Sequence, residues 1–315
     1  MQVDQFGKDH LHYEKIFFTG LFVVISCFWF SAQLDVAAKP FMVGPDKCQK
    51  CHKAEHAVWK GTKHFKSFKK VHKNKKAKKI VKAIGEKRMK KAAVCANCHY
   101  TSVKKKATDK KAKLVAGPSC ESCHGAASEW IGIHNNTKVD KAKRFADAKA
   151  AGMIWPTETF DVASNCMSCH GLANENLSGK HATAMLDNGH PFNPNFEYVE
   201  YSQGSVRHRF YAPKMTVNQE MTEKQKAEIY IIGQSAAMLS ATQAITKTTH
   251  PAYVKGQKKR ISNATAALNK IKAMVPEAGA FLSSPSKESG RALAKAVKGK
   301  DLTGAIGPSL PKSYK

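Results

Sequence analysis

The sequence predicts a mainly α-helical protein with much irregular loop, and three observations predict it. A Cys-x-x-Cys-His motif recurs four times between residues 48 and 170. Gly and Pro interrupt this region, as at Gly117-Pro118, so that only short helices fit between them. After Pro213, apolar residues recur at helical intervals. We therefore expect short helices and loops first, followed by a helical hairpin.

The four motifs carry the strongest chemical signal. They are Cys48-Gln-Lys-Cys51-His52, Cys95-Ala-Asn-Cys98-His99, Cys120-Glu-Ser-Cys123-His124 and Cys166-Met-Ser-Cys169-His170. Such a motif is typical of covalent haem c attachment, because two thiols bond the porphyrin vinyl groups and the adjacent imidazole binds the iron. Zinc sites and redox disulfides also use Cys-x-x-Cys pairs, but neither requires His after every second Cys. The sequence therefore predicts four covalently attached haems c.

The motif region is too short to enclose four haems within an ordinary aliphatic core. We expect the macrocycles to form the core and the polypeptide to wrap around them. The predicted division is residues 1–38 as a signal peptide or N-terminal anchor, 39–213 as a tetrahaem domain, and 214–315 as a helical C-terminal extension.

The extension contains three predicted helices. Thr222 is a plausible N-cap for a helix reaching about residue 246, and a second helix is predicted over 251–274. A weaker helix is predicted over 286–297, and the last ten or so residues are expected to fray. This hairpin and tail would cap the haem region or serve in assembly.

The N-terminal segment predicts export. Residues 16–32 are apolar, and Val36-Ala37-Ala38 fits a secretory cleavage site after Ala38. An uncleaved membrane anchor at 16–32 and a lipoprotein cleavage at Cys27 are the alternatives. All three place the haem region in the periplasm, where bacteria attach haem c.

The chain is strongly basic, with a net charge of +28. Its densest Lys run, residues 66–91, predicts a docking face for an acidic redox partner or an anionic surface. A simply solvated lysine face is the alternative. Nucleic acid is disfavoured as a partner, because the compartment is wrong and the run lacks interleaved aromatic residues beyond Phe65 and Phe68.

The sixth position on each iron decides between electron transfer and chemistry on a small molecule. The candidates for it are His56, His64, His72, His134, His181, His190, His208 and His250. Eight candidates for four positions leave the assignment open on residue type alone.

Several segments together carry a family resemblance. They are Trp59-Lys-Gly-Thr62-Lys-His64, Gly117-Pro-Ser-Cys120-Glu-Ser-Cys123-His124-Gly125, His134, and Phe196-Glu-Tyr198 followed by His208. Over roughly residues 45–212, this set resembles the tetrahaem cytochrome c-554 family. The haem packing of that family is similar to one within hydroxylamine oxidoreductase and pentahaem nitrite reductases.

The resemblance implies crossed ligation, in which each distal His comes from a distant segment. It implies His134 opposite His52, His64 opposite His124, and His208 opposite His170. In the alternative interpretation His208 is not a ligand, and the arginines on either side of it pair with haem propionates.

The second haem is the instructive case. The resemblance implies a five-coordinate iron at the second haem. The matching loop of this chain, however, reads His190-Pro191-Phe192-Asn193-Pro194. We expect His190 to lie opposite His99, with His181, on a predicted helix over 180–186, or an open site as alternatives. His56, His72 and His250 are expected to be structural or solvated.

The favoured function is single-electron transfer between redox partners through closely packed bis-His haems, with no catalytic residues. One alternative is an oxidoreductase acting on a small nitrogen or sulfur species at an open haem, with Tyr198, Tyr201 and Arg207 lining its pocket. Another is a structural electron conduit or filament subunit.

Overall fold

The computed structural model describes residues 39–315, and helix accounts for 56% of the fold. The predicted mainly α-helical class is confirmed. The first eight helices are α1 (Pro45–Gln49), α2 (Lys53–Gly61), α3 (Lys63–Lys70), α4 (Lys75–Ala83), α5 (Ala93–His99), α6 (Cys120–His124), α7 (Ile131–His134) and α8 (Lys141–Ala150). They are followed by α9 (Thr159–His170), α10 (Gly179–Asp187), α11 (Tyr198–Ser202), α12 (Glu223–Ala244), α13 (Pro251–Asn269), α14 (Pro276–Ser283), α15 (Lys287–Val297) and α16 (Thr303–Ile306).

One small sheet links the second and third motifs. Strand β1 (Thr101–Val103) follows α5 directly and pairs antiparallel with β2 (Lys113–Ala116), which leads into α6. Met42 adds a parallel bridge to Val103. The segment before the first motif is therefore held beside the connection between the second and third motifs.

The C-terminal helices begin as the sequence predicts. The Thr222 hydroxyl accepts a hydrogen bond from Gln225 N, and the Gln225 side chain accepts one from Thr222 N, which forms a capping box. Ser286 caps α15 through Ser289 N. A further short helix, α14, lies between the predicted second and third helices of the extension.

The last residues differ from the frayed tail that we expected. Lys315 N donates to the Glu200 carbonyl at 2.8 Å, and the Lys315 carbonyl accepts from Ser205 N at 2.7 Å. These two bonds pin the terminal residue to α11 and the turn after it.

The largest core crosses the predicted boundary at residue 213. Helix α12 packs against α9, which carries the fourth motif, and against α11 and α13. Phe160 and Met167 of α9 share this core with Ile231 of α12 and Leu268 of α13. Residues 39–315 form one compact unit. The boundary therefore marks a change in sequence character and does not separate two cores.

The predicted N-terminal anchor (16–32) and cleavage after Ala38 lie outside the described residues. Within residues 39–315, no helix is both long enough and apolar enough to cross a membrane.

Candidate haem-binding centre

Three of the four motifs end an α-helix. His99, His124 and His170 are the last residues of α5, α6 and α9. In the first motif, Cys48 lies in α1 and His52 is the N-cap of α2. In these three helical motifs the two cysteines, three residues apart, lie on one face of the helix, so each presents its two thiols together.

Each motif histidine faces a second histidine from a distant segment. The ring-centroid distances are 6.3 Å for His52–His134, 6.0 Å for His99–His190, 6.2 Å for His124–His208 and 6.0 Å for His170–His64. Two imidazoles that bind one iron from opposite sides have centroids about 6 Å apart, because each metal–nitrogen bond is about 2 Å and each centroid lies about 1 Å behind its nitrogen. The four pairs therefore fit bis-His iron.

Backbone carbonyls orient four of these eight rings. The Nδ1 atoms of His124, His134 and His190 donate to the carbonyls of Ile154, Ile131 and Pro191 at 2.9, 2.9 and 3.0 Å. His208 Nδ1 donates to the Val206 carbonyl at 2.6 Å. A proton held on Nδ1 leaves Nε2 with its lone pair free for a metal, which is the usual arrangement around a ligating imidazole.

Burial favours the neutral form of six of the eight paired imidazoles. It lowers the pKa of His99 and of His170 to about 4 in each case, with smaller contributions from neighbouring positive charge. Burial also lowers the pKa values of His64, His124, His134 and His190. Neutral imidazole is the form that binds a metal.

Two pairings differ from those that the resemblance implied. His64 faces His170 and not His124, and His208 faces His124 and not His170. For His64, the backbone and the ring lie against different motifs. A Cβ on Gly117, next to the third motif, would lie 2.0 Å from the His64 carbonyl, so the main chain of α3 lies against that motif. The His64 ring nevertheless points to the fourth motif.

At the second motif, the loop histidine lies opposite His99. His190 follows α10, and its N–H donates to the Met185 carbonyl at 2.9 Å. His181 lies in the first turn of α10, where its N–H bonds the Ser178 cap, and it does not face His99. The ring placement therefore favours His190 over both alternatives.

Thiols of different motifs lie in contact. Cys48 contacts Cys120, Cys123 contacts Cys166, and Cys98 contacts Cys169. No disulfide joins the eight motif cysteines of the described chain. The first motif therefore adjoins the third, the third adjoins the fourth, and the fourth adjoins the second.

Several buried donors around the motifs have no acceptor within the described chain. They are Tyr100 Oη, Trp130 Nε1, Arg144 Nε and the Nε and Nη1 atoms of Arg260. Trp130 packs edge-on against His134, with centroids 5.1 Å apart. Buried polar groups normally find a partner, so these donors fit a group that supplies carboxylates, as haem does through its propionates.

Sequence reasoning missed Arg260. A signal was available, because Arg260 falls on the buried face of α13 that Tyr253, Gly256 and Ala264 also form. A charged residue in an apolar helical stripe is itself informative.

The three histidines expected to be structural do not face a motif histidine. His56 is 3% exposed and packs on Trp59, with centroids 5.1 Å apart. His72 lies in the 3-10 turn Val71–Lys73, and His250 caps α13 at 3.8 Å from Asp187.

The three residues suggested for a substrate pocket are engaged elsewhere. Tyr198 is buried and packs on Gly233 of α12. Tyr201 stacks on Phe196, with centroids 4.7 Å apart. Arg207 pairs with Glu220 at 3.2 Å.

One family comparison covers part of the motif region. Residues 47–125, which include the first three motifs and His64, match the family model described as cytochrome c554 and c-prime. This segment is a cytochrome c554-family sequence. The match covers about a quarter of the chain, and no curated protein or solved structure matches the chain.

The family match confirms the resemblance to cytochrome c-554 and the coarse function. The match supports a c-type cytochrome of electron transfer, and the matched family implies covalently bound haem c. Members of this family are typically periplasmic or extracellular. The fourth motif and His134, His190 and His208 lie beyond the matched residues, so their roles rest on the geometry above.

Proposed function

We propose that this cytochrome is a periplasmic tetrahaem electron carrier in which all four irons are bis-His ligated. The observation that carries the proposal is the set of four histidine pairs with centroids 6.0–6.3 Å apart. The proposed ligand pairs are His52 with His134, His99 with His190, His124 with His208, and His170 with His64. The cysteines of the four motifs would supply the thioether bonds.

Haem c, when bound, supplies a reversible one-electron couple at its iron. The chain's own contribution would be to hold each iron between two histidines, which would leave no position on the iron open to a small molecule. Contact between thiols of neighbouring motifs supports one continuous row of attachment sites, ordered first, third, fourth, second. Such a row suits passage of electrons between its two ends.

The lysine-rich segment suits docking of an acidic partner. The lysines of α4 are exposed, and no Lys within residues 60–91 forms an ion pair inside the described chain. Their positive charge is therefore not neutralised within the described chain and can attract a partner with an anionic surface, consistent with the net charge of +28.

The haem count and the spin state test the proposal together. The intact mass of the purified holoprotein should include four haems, and the electron paramagnetic resonance spectrum of the oxidised protein should contain only low-spin signals. The near-parallel rings of His52 and His134, at 19°, predict an ordinary rhombic signal. The perpendicular rings of His124 and His208, at 90°, predict a highly anisotropic one, because perpendicular imidazole planes leave two iron d orbitals nearly equal in energy.

A pair of variants tests the second site. His190→Ala should convert one haem of the four to a high-spin form that binds cyanide or nitric oxide, and the other three should stay low-spin. His181→Ala is the matched control and should leave all four signals unchanged. A stoichiometric high-spin signal in the unmodified protein would overturn the bis-His assignment and favour an oxidoreductase at an open haem.

A further inference from the structure

One buried cation in the C-terminal extension lies against the fourth motif without an anionic partner. Arg260 of α13 is 2% exposed. Its Nη2 lies 3.3 Å from the Met167 sulfur, between the cysteines of that motif, while its Nε and Nη1 have no acceptor. A Cβ on Gly171, the residue after His170, would lie 2.6 Å from Nη1, so the guanidinium contacts the end of the motif.

The surroundings hold the guanidinium there but do not neutralise it. Gln257, one turn earlier on α13, donates to the Gly171 carbonyl at 2.8 Å and ties the helix to the motif. Phe192, in the loop that carries His190, lies 5.8 Å from the guanidinium carbon. No carboxylate of the described chain forms an ion pair with Arg260. Burial lowers the pKa of Arg260 to about 10, so it remains charged at neutral pH.

A buried guanidinium without a counter-charge is strongly unfavourable, so the charge of Arg260 calls for an anion. The planar fork of Arg matches a carboxylate in a two-bond arrangement. Haem c carries two carboxylates, and a haem attached at Cys166 and Cys169 would lie beside Met167 and His170.

We propose that Arg260 binds a propionate of the haem at the fourth motif and raises that haem's reduction potential. The inference rests on the proposed function, because it needs a haem at this motif. Through this contact the C-terminal extension, which lies beyond the resemblance, would influence the redox centre. The cation favours the ferrous iron, which carries one positive charge fewer than the ferric iron.

Redox titration of the haem-loaded full chain tests this role. In Arg260→Gln, the reduction equilibrium of one haem should shift about tenfold toward the oxidised form, which is about 59 mV for a one-electron couple. The resonance Raman band of its propionate should shift as well. Arg260→Lys keeps the charge and should restore most of the potential.

The matched control is Lys259→Gln, which removes the same charge from the adjacent, exposed position of α13. It should leave all four potentials within error. Unchanged potentials in Arg260→Gln, in a sample that retains four low-spin haems, would overturn the propionate contact while leaving the electron-carrier function intact. Equal shifts in Arg260→Gln and Arg260→Lys would also overturn it, since packing alone would then be responsible.

A free oxyanion is the other source of the same chemistry, because Arg260 also lines a cavity of about 290 Å³ with Phe196 and Asn263. Inorganic phosphate is the probe. The proposal predicts that millimolar phosphate leaves the potentials of the unmodified protein unchanged. A phosphate-dependent potential that is lost in Arg260→Gln would assign the site to a free anion and reject the propionate.

Discussion

At the scale of single residues, Glu121 joins the first and third motifs. It lies between Cys120 and Cys123 and is 2% exposed. Its Oε1 accepts hydrogen bonds from Val43 N and Ala127 N, each at 2.9 Å, and its Oε2 accepts one from Gly44 N at 2.8 Å. Because Gly44 is the N-cap of α1, one side chain positions the first motif against the third.

Glu121→Gln should destabilise the fold by about 1–3 kcal/mol, because an amide NH₂ must then face at least one buried N–H. Urea unfolding of the holoprotein measures the change. Glu175→Gln, at an exposed position, is the control and should lie within about 0.5 kcal/mol of the unmodified protein. Equal midpoints for the two variants would show that the Glu121 bonds contribute nothing.

At the scale of elements, α9 connects the haem region to the C-terminal helices. Its last turn carries the fourth motif, and its first turn carries Phe160, which is 1% exposed and lies 6.4 Å from the Phe281 ring of α14. Helix α15 crosses α9 at Gly290, where a Cβ would lie 2.1 Å from the Phe160 ring. The absence of a side chain there allows the two helices to approach closely.

Gly290→Ala should therefore destabilise the protein by about 1–3 kcal/mol, because the ring must move or the helices must separate. Gly279→Ala is the matched control: it lies within α14, and a Cβ there meets nothing within 4 Å. That variant should gain up to about 1 kcal/mol from helix propensity. Thermal unfolding of both variants measures the change in stability. Equal changes in Gly290→Ala and Gly279→Ala would mean that α15 and α9 are not closely packed.

At the scale of the whole molecule, charge governs encounter with partners. A protein with a net charge of +28 attracts anions over a distance that salt shortens, to about 10 Å at 0.1 M ionic strength. Electron transfer between this cytochrome and a charged reactant should therefore depend on ionic strength, with a sign set by the reactant's charge.

Stopped-flow oxidation of the reduced protein tests this dependence. The rate with ferricyanide, an anion, should fall as salt is added, and the rate with hexaammineruthenium, a cation, should rise. Replacing Lys75, Lys76, Lys78 and Lys79 with Gln should slow the ferricyanide reaction more than replacing Lys105, Lys106, Lys110 and Lys111, which removes the same charge elsewhere. Equal effects of the two replacements would show a general charge effect and no docking face on α4.

The structure agrees with the sequence-based expectations where the signal is local. The cap at Thr222 and the helix after Ser286 depend on neighbouring residues, and both lie where they were expected. The fraying expected at the C-terminus was wrong, because the bonds of Lys315 go to residues more than a hundred positions away. Local chemistry does not reveal such distant partners.

The sequence by itself determined the four Cys-x-x-Cys-His motifs, because haem attachment requires contiguous residues, and it determined the mainly α-helical class. Only the tertiary structure decided which distant histidine faces which motif. His64 and His208 exchange the partners that the resemblance implied, since the direction of a ring depends on how its helix packs and not on its neighbours in the chain. The same holds for Arg260, which reaches the fourth motif because α13 packs on α12 and α12 packs on α9.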